Sequence, residues 1–442
     1  MKPIHILTLS LLTSLSAVPE IHGQNDIDYF LKISGIEKTS FHPTKARNGK
    51  LLVTNLDESR DVLLNLRRLL LQRASKNWSR LYNYNWISGK IQRPRRWDEF
   101  PCPLNGTRSK SPPTTLDKLR PGDIDVIAAI GDSLTAGNGA ISETLMDVAT
   151  EYRGVTFSGG GVADWRTILT LPNILKVFNP NLYGFSTQDG VAVDREAYLN
   201  IAEPMVMSRD LVYQVRVLIQ RMRQDPKIDM QRHWKLLTIF VGNNDICSDM
   251  CHHDNLWNFL RQHEEDLRQA FTLLRENIPR LVVNLIPAPN MVNTLRRMQN
   301  IPLLCQAVHS VGCHCVFSET YSKRYLQNIS KFISRWQKID EYVASLPEFY
   351  TKEFVVLYQS FTANVSLPIL ENGDTDLRFL ASDCFHFSQL GHAAVANELW
   401  NNMLQAPGQK ESVFREPFER FLCPTEERPY IATYGNSFMR GR

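Results

Sequence analysis

Long apolar runs are nearly missing from this sequence. After the first two dozen residues none approaches the roughly 20 needed to cross a bilayer, so no transmembrane segment is expected. The closing stretch "IATYGNSFMRGR" is polar, and no lipid-anchor signal is read there. A concentration of one charge is missing too. Lys and Arg number 50 against 46 Asp and Glu, a net +4, and the basic residues are scattered. Nucleic acid would want them gathered on one face, so no nucleic-acid partner is expected. No internal repeat is evident. The stretches "CSDMCHH" (247–253) and "CHC" (313–315) hold ligand-type residues close together. They lack the paired spacing of a regular zinc site, and no metal or other cofactor is expected.

What is present points to export. The chain opens "MKPIHILTLSLLTSLSAVPEIHGQ", with Lys2 ahead of an apolar stretch over residues 4–17. That pattern predicts a signal peptide over residues 1–23 and a secreted protein, with peripheral membrane association left open. Sequons occur at Asn77, Asn105, Asn328 and Asn364. Eight cysteines, an even number, would mostly pair in an oxidising compartment. Local loops are expected, Cys247 with Cys251 and Cys305 with Cys313 or Cys315. Cys384 is expected to tie its late segment to another loop.

Residues 24–120 read as a helical extension and linker. "RDVLLNLRRLLLQRASKNW" has apolar residues at helical spacing, and "FPCPLNGTRSKSPPTTLDKLRPGD" reads as surface loop. A membrane-surface helix is conceivable at 60–80, but packing on the main domain is the expected use. From residue 121 to 405 strands and helices alternate. Continuous apolar runs at 125–130, 154–158, 234–242, 280–287 and 353–359 suggest strands buried on both faces. Helical stretches lie at about 208–224, 256–277, 318–345 and 389–404. Residues 406–442 form a tail expected to pack on this domain. The alternation predicts a three-layer αβα sandwich with a mainly parallel sheet.

Polar motifs follow the ends of three of these runs: Ser133 in "AAIGDSLTAGNGA", Gly159–Gly161 in "FSGGGVAD", and Asn243-Asn244-Asp245. Open α/β sheets bind ligands beyond the carboxyl ends of their strands. A serine hydroxyl needs a base to become a nucleophile. His386, in "SDCFHFSQLGH", is the candidate base, and Asp383, three residues earlier, can orient it. Asp245 is the alternative acid. Asn244, a glycine of 159–161 and the Ser133 N–H are candidate donors to an oxyanion. Trp165, Tyr183 and Phe185 are read as core, or else as lining an apolar ligand groove.

G-D-S-L at 131–134, the glycine block, G-N-N-D at 242–245 and D-x-x-H at 383–386 stand in the order of the GDSL, or SGNH, hydrolases. With flanks such as "LTLPNILKVFNPNLYGFS" and "LWNNMLQAPGQK", the sequence resembles the phospholipase B subgroup over roughly residues 75–440. The resemblance implies a flavodoxin-like SGNH-hydrolase fold. It implies hydrolysis of phospholipid and lysophospholipid acyl esters at a lipid–water interface, with no metal. Other carboxyl esters and a catalytically weak lipid-binding homologue are the alternatives. By the same resemblance Ser133 is the nucleophile, His386 the base and Asn244 the oxyanion asparagine. Gly160 is the expected glycine donor, with Gly161 fitting the block almost as well.

Overall fold

The computed structural model describes residues 58–95, 98–317 and 323–437. The expected signal peptide and the extension as far as residue 57 lie outside the described residues. The chain divides into two units, Met1–Val62 and Leu63–Arg442. Of the first only the beginning of one helix is described. The sheet and the helices that cover it belong to the second.

Four strands build the sheet: β1 (Ile124–Gly131), β2 (Trp234–Phe240), β3 (Leu281–Ile286) and β4 (Phe354–Tyr358). They pair in parallel in the order β1-β2-β3-β4. Almost every strand residue is buried, as their apolar runs require of a sheet covered on both faces. Ile127, Leu236, Val282 and Val355 share one core with α4 (Leu171–Phe178) and α9 (Gln389–Leu404). The opposite face is covered by α5 (Leu211–Gln224), α6 (Leu256–Asn277) and α8 (Lys323–Ala344), which pack on one another. Four further helices bear on the site or its flanks: α1 (Glu58–Lys76), α2 (Trp78–Ile87), α3 (Ser133–Ala136) and α7 (Leu303–Gly312).

The expected strand at 154–158 does not form. Residues Arg153–Val155 make a 3-10 turn, and this segment satisfies its backbone locally: Gly160 N–H donates to Thr156 O (3.0 Å) and Val162 N–H to Gly154 O (3.1 Å). The free edge of β1 is taken instead by two short pieces in parallel bridges, Val126 with Tyr183 and Ala129 with Asn200. The chain thus crosses to one side of β1 and returns to the other for β2. That reversal is a switch point, where α/β sheets open a crevice.

Within the second unit, α1 makes ion pairs through Arg67 and Arg68. Arg67 Nε donates to Glu151 Oε1 (2.8 Å), and Arg68 pairs with Asp194 (3.1 Å). Glu151 in turn holds Arg153, whose guanidinium also reaches the Asn200 backbone and side chain (3.1 Å each). The tail returns over α9: Trp400 Nε1 donates to Leu422 O (2.7 Å), while Asn397 and Asn401 donate to Arg420 O. All four sequon asparagines, Asn77, Asn105, Asn328 and Asn364, are exposed.

The disulfides are Cys102–Cys423, Cys247–Cys313, Cys251–Cys315 and Cys305–Cys384. The expected local pairs are replaced by longer links, apart from the tie through Cys384. Residues four apart on a helical turn hold their Cβ atoms about 5–6 Å apart, beyond the roughly 3.8 Å a disulfide spans. Cys247 and Cys251 therefore both meet the 313–315 segment, pairing with Cys313 and Cys315. Cys305 and Cys313 stand at opposite ends of α7, about 12 Å apart along its axis. Four disulfides are what an extracellular setting permits. Among the described residues no helix is long and apolar enough to cross a membrane.

Candidate active site

β1 ends in a forced turn. Gly131 has φ +146°, and a Cβ there would sit 2.2 Å from the Phe240 carbonyl oxygen on β2. Only glycine lets the two strand ends approach so closely. Asp132 then caps α3: its Oδ1 accepts from Leu134 N–H (2.9 Å) and its Oδ2 from Asn243 Nδ2 (2.8 Å). Burial pushes the Asp132 carboxyl up to about 6. Ser133 is the first residue of α3. Its N–H has no intrahelical acceptor by position.

The other half of the site comes from a tight turn before α9. Asp383 Oδ1 accepts from the N–H groups of Phe385 and His386 (3.1 Å each), so the acid organises its own turn. Between them Cys384 takes a left-handed φ of +57°. Asp383 Oδ2 lies 2.6 Å from His386 Nδ1, and His386 Nε2 lies 2.8 Å from Ser133 Oγ. Residues 253 positions apart are thus linked acid to imidazole to alcohol. Burial opposes charge on the imidazole. The Asp383 charge and hydrogen bond outweigh that, so His386 is held above its usual value, with Asp132 adding to the rise. Asp383 is buried as well, but His386 and the two backbone donors keep it below the usual carboxylate range.

Asp245 stands elsewhere. Its carboxylate accepts from Ser208 N–H (3.1 and 3.2 Å) and Ser208 Oγ (2.8 Å). It starts a π-helical turn, Asp245–Asp249, and burial pushes it up to about 6. The neighbouring Asn244 uses one amide hydrogen on Val206 O (2.9 Å), which leaves the second for a ligand. Asn243 holds Asp132.

The three glycine N–H groups differ in their partners. Gly160 N–H is committed to Thr156 O (3.0 Å), and Gly161 N–H to Ser186 O (2.8 Å). Gly159 N–H meets no backbone acceptor among the described residues. A Cβ on Gly159 would come within 2.8 Å of Asn200 Nδ2, and that amide donates to Thr135 O of α3 (3.0 Å). Gly159 therefore sits beside the Ser133 turn. Three consecutive glycines could not reveal this register. Nothing in the sequence marks Arg153 and Asn200 as the props beneath it.

A family model described as GDSL-like lipase/acylhydrolase matches residues 127–399. The chain belongs to this family. Rat "Phospholipase B1, membrane-associated" is 38% identical over 335 residues, covering 74% of this chain and 23% of that protein. The human protein of the same name is 36% identical, with 74% and 22% covered. The chain thus spans under a quarter of the length of these relatives. Among solved structures, an extracellular lipase from Streptomyces rimosus is 12% identical with TM-score 0.31, covering 60% of this chain and 94% of that one. Phospholipase A1 from Streptomyces albidoflavus is 11% identical with TM-score 0.30, covering 63% and 98%. The GDSL-like lipase/acylhydrolase domain contains the whole constellation, from Ser133 to His386.

Other groups lie outside the Asp383–His386–Ser133 link. His392 is buried, and its Nδ1 accepts from Phe157 N–H (3.3 Å). Trp165 is in the core beside α4, and Phe185 is partly buried against the same cluster. Cys251, His252, His314 and Cys315 place four ligand-type atoms within 4.8 Å of one another. Two of them are joined as a disulfide, which leaves His252 and His314, their Nε2 atoms 2.9 Å apart.

Proposed function

We propose that this acylhydrolase is a secreted serine esterase that cleaves acyl esters of phospholipids and lysophospholipids at a lipid–water interface. The observation that carries the reading is the continuous link Asp383–His386–Ser133, at 2.6 and 2.8 Å. The names of the rat and human relatives supply the substrate class.

In this reading His386 takes the Ser133 proton as the oxygen attacks the ester carbonyl. The oxyanion that forms is met by the Ser133 N–H, the spare hydrogen of Asn244 Nδ2 and the Gly159 N–H. Gly159 replaces Gly160 because the latter's hydrogen is already spent. Imidazolium His386, balanced by Asp383, then protonates the leaving alcohol. Water attacks the acyl-enzyme by the same route. Residues of the chain fill each of these roles. Secretion is supported by the amino-terminal pattern and by the four disulfides.

The pH dependence comes from the sign of the His386 shift. The base works only when neutral, and its partner holds it above 6.5. kcat/KM for a soluble ester should therefore rise with pH through a midpoint above about 6.5. A pH–rate profile with its acid limb well below that value would contradict the assignment. The substrate class is tested with diacyl phosphatidylcholine and calcium chelated. Free fatty acid together with glycerophosphocholine is the expected product pair. Turnover of small soluble esters with no phospholipid turnover would favour another carboxyl ester.

A further inference from the structure

α7 carries an unusual surface. Its sequence, LLCQAVHSVG, holds no acidic residue, lysine or arginine. The inward face is Cys305 and His309, both buried. The outward side carries an aliphatic stripe: Leu303 is 81% exposed, Leu304 54% and Val311 61%, with Ala307 exposed between them and the uncharged Gln306 and Ser310 exposed alongside. A surface helix of a soluble domain ordinarily turns charged residues outward. Aliphatic side chains grouped on an uncharged helix mark a contact surface. With 10 residues the helix is about 15 Å long, too short to span a bilayer and suited to lie on one.

The charge around it selects the partner. From residue 277 to 318 there is no aspartate or glutamate, while Arg296 and Arg297 stand exposed just before α7. One acid reaches this approach, Asp374, whose Oδ1 accepts from Asn300 Nδ2 (2.7 Å); the two arginines suit phosphate-bearing headgroups above acyl chains.

The inner face reaches the chemistry. Cys305 is disulfide-bonded to Cys384, the residue directly after Asp383 and two before His386. His309 Nε2 is also 2.8 Å from the Cys384 carbonyl oxygen. Beneath them Cys305, Phe379, Leu380, Cys384 and Leu390 form one buried cluster. A surface that receives α7 is therefore held in fixed relation to the turn bearing Asp383 and His386.

We propose that the outer face of α7 is a docking surface for phospholipid aggregates. Leu303, Leu304 and Val311 enter the headgroup–acyl boundary, and the Cys305–Cys384 bond sets the catalytic turn against the lipid. This rests on the phospholipid-esterase reading, which supplies the substrate, but its test is separable.

The test uses the full chain with disulfides intact. Binding is read by co-sedimentation with vesicles of equimolar phosphatidylcholine and phosphatidylglycerol. Chemistry is read on those vesicles and on a short-chain water-soluble ester. For Leu303→Asp/Leu304→Asp the bound fraction and vesicle hydrolysis should fall about tenfold or more, with soluble-ester turnover within about twofold of wild type. Val311→Asp, on the last turn of the same face and remote from the Cys305 bond, should also weaken binding. Wild-type binding by either variant would overturn the proposal. So would wild-type protein that ignores vesicles, or that uses this face to pair with a second copy. Vesicle binding without hydrolysis of either substrate would leave docking standing and remove the esterase reading. Normal ester turnover without vesicle binding would do the reverse.

Discussion

Replacing Ser133 by alanine should lower kcat by roughly five orders of magnitude and leave the protein as stable as before. The expectation comes from what the hydroxyl touches. Its partner is His386 Nε2, at 2.8 Å, and α3 keeps its cap through Asp132. Removing a serine nucleophile from a complete triad costs about 10^6-fold in a comparable enzyme, with some catalysis remaining from the oxyanion donors. Two measurements check it together. Steady-state kinetics should show the loss in kcat, and a fluorophosphonate probe should label wild type but not Ser133→Ala. Labelling that persists in the variant would place the nucleophile at another residue. A fall in thermal midpoint matching the fall in rate would make Ser133 a structural cap.

The second large effect separates two acids. Asp383→Ala should reduce kcat about 10^4-fold, the scale seen when an orienting carboxylate is lost from a serine triad. Without it the imidazole loses its 2.6 Å partner, and the turn loses the acceptor for two N–H groups. The surviving activity should show its acid limb at lower pH, because the charge that raises His386 is gone. Asp245→Ala should act on stability instead. It strands the buried N–H and hydroxyl of Ser208, at a cost of about 1–3 kcal/mol. Its kcat should stay within about tenfold of wild type, since Asn244 keeps its bond to Val206 O. Kinetics and thermal melts on both variants would decide. An Asp245 variant with the larger kinetic loss would reverse the roles.

Parts of this site are readable in the sequence because their cause is local. β1 is a continuous apolar run stopped by a glycine, and D-x-x-H places acid and base on one turn. The parts that are not readable depend on contacts between distant segments. Residues 154–158 are apolar enough for a strand, yet their hydrogen bonds close in local turns or, at Phe157, go to His392 and Leu171 rather than to a strand. The pieces that do flank β1 contribute only isolated bridges, one of them through the polar Asn200. α7 leaves no mark for a related reason. Its aliphatic residues face outward while Cys305 and His309 face inward, so the apolar stripe does not mark the buried side. The cysteine pairing is hidden because Cys247 and Cys251 share a face and pair with Cys313 and Cys315 rather than with each other. The glycine register is hidden by repetition, since only the fate of each N–H distinguishes Gly159 from Gly160.

The Cys102–Cys423 bond joins positions 321 apart, and the entire sheet lies between them. Covalently, that stretch is a ring. A protease that nicked any loop inside it would open the ring without releasing a piece, and the packed core could hold the cut ends in register. Segments outside the ring are held by non-covalent contacts alone, such as Arg67 on Glu151 and Arg68 on Asp194. In a chain closed this way, a broken backbone and a broken catalyst need not be the same event.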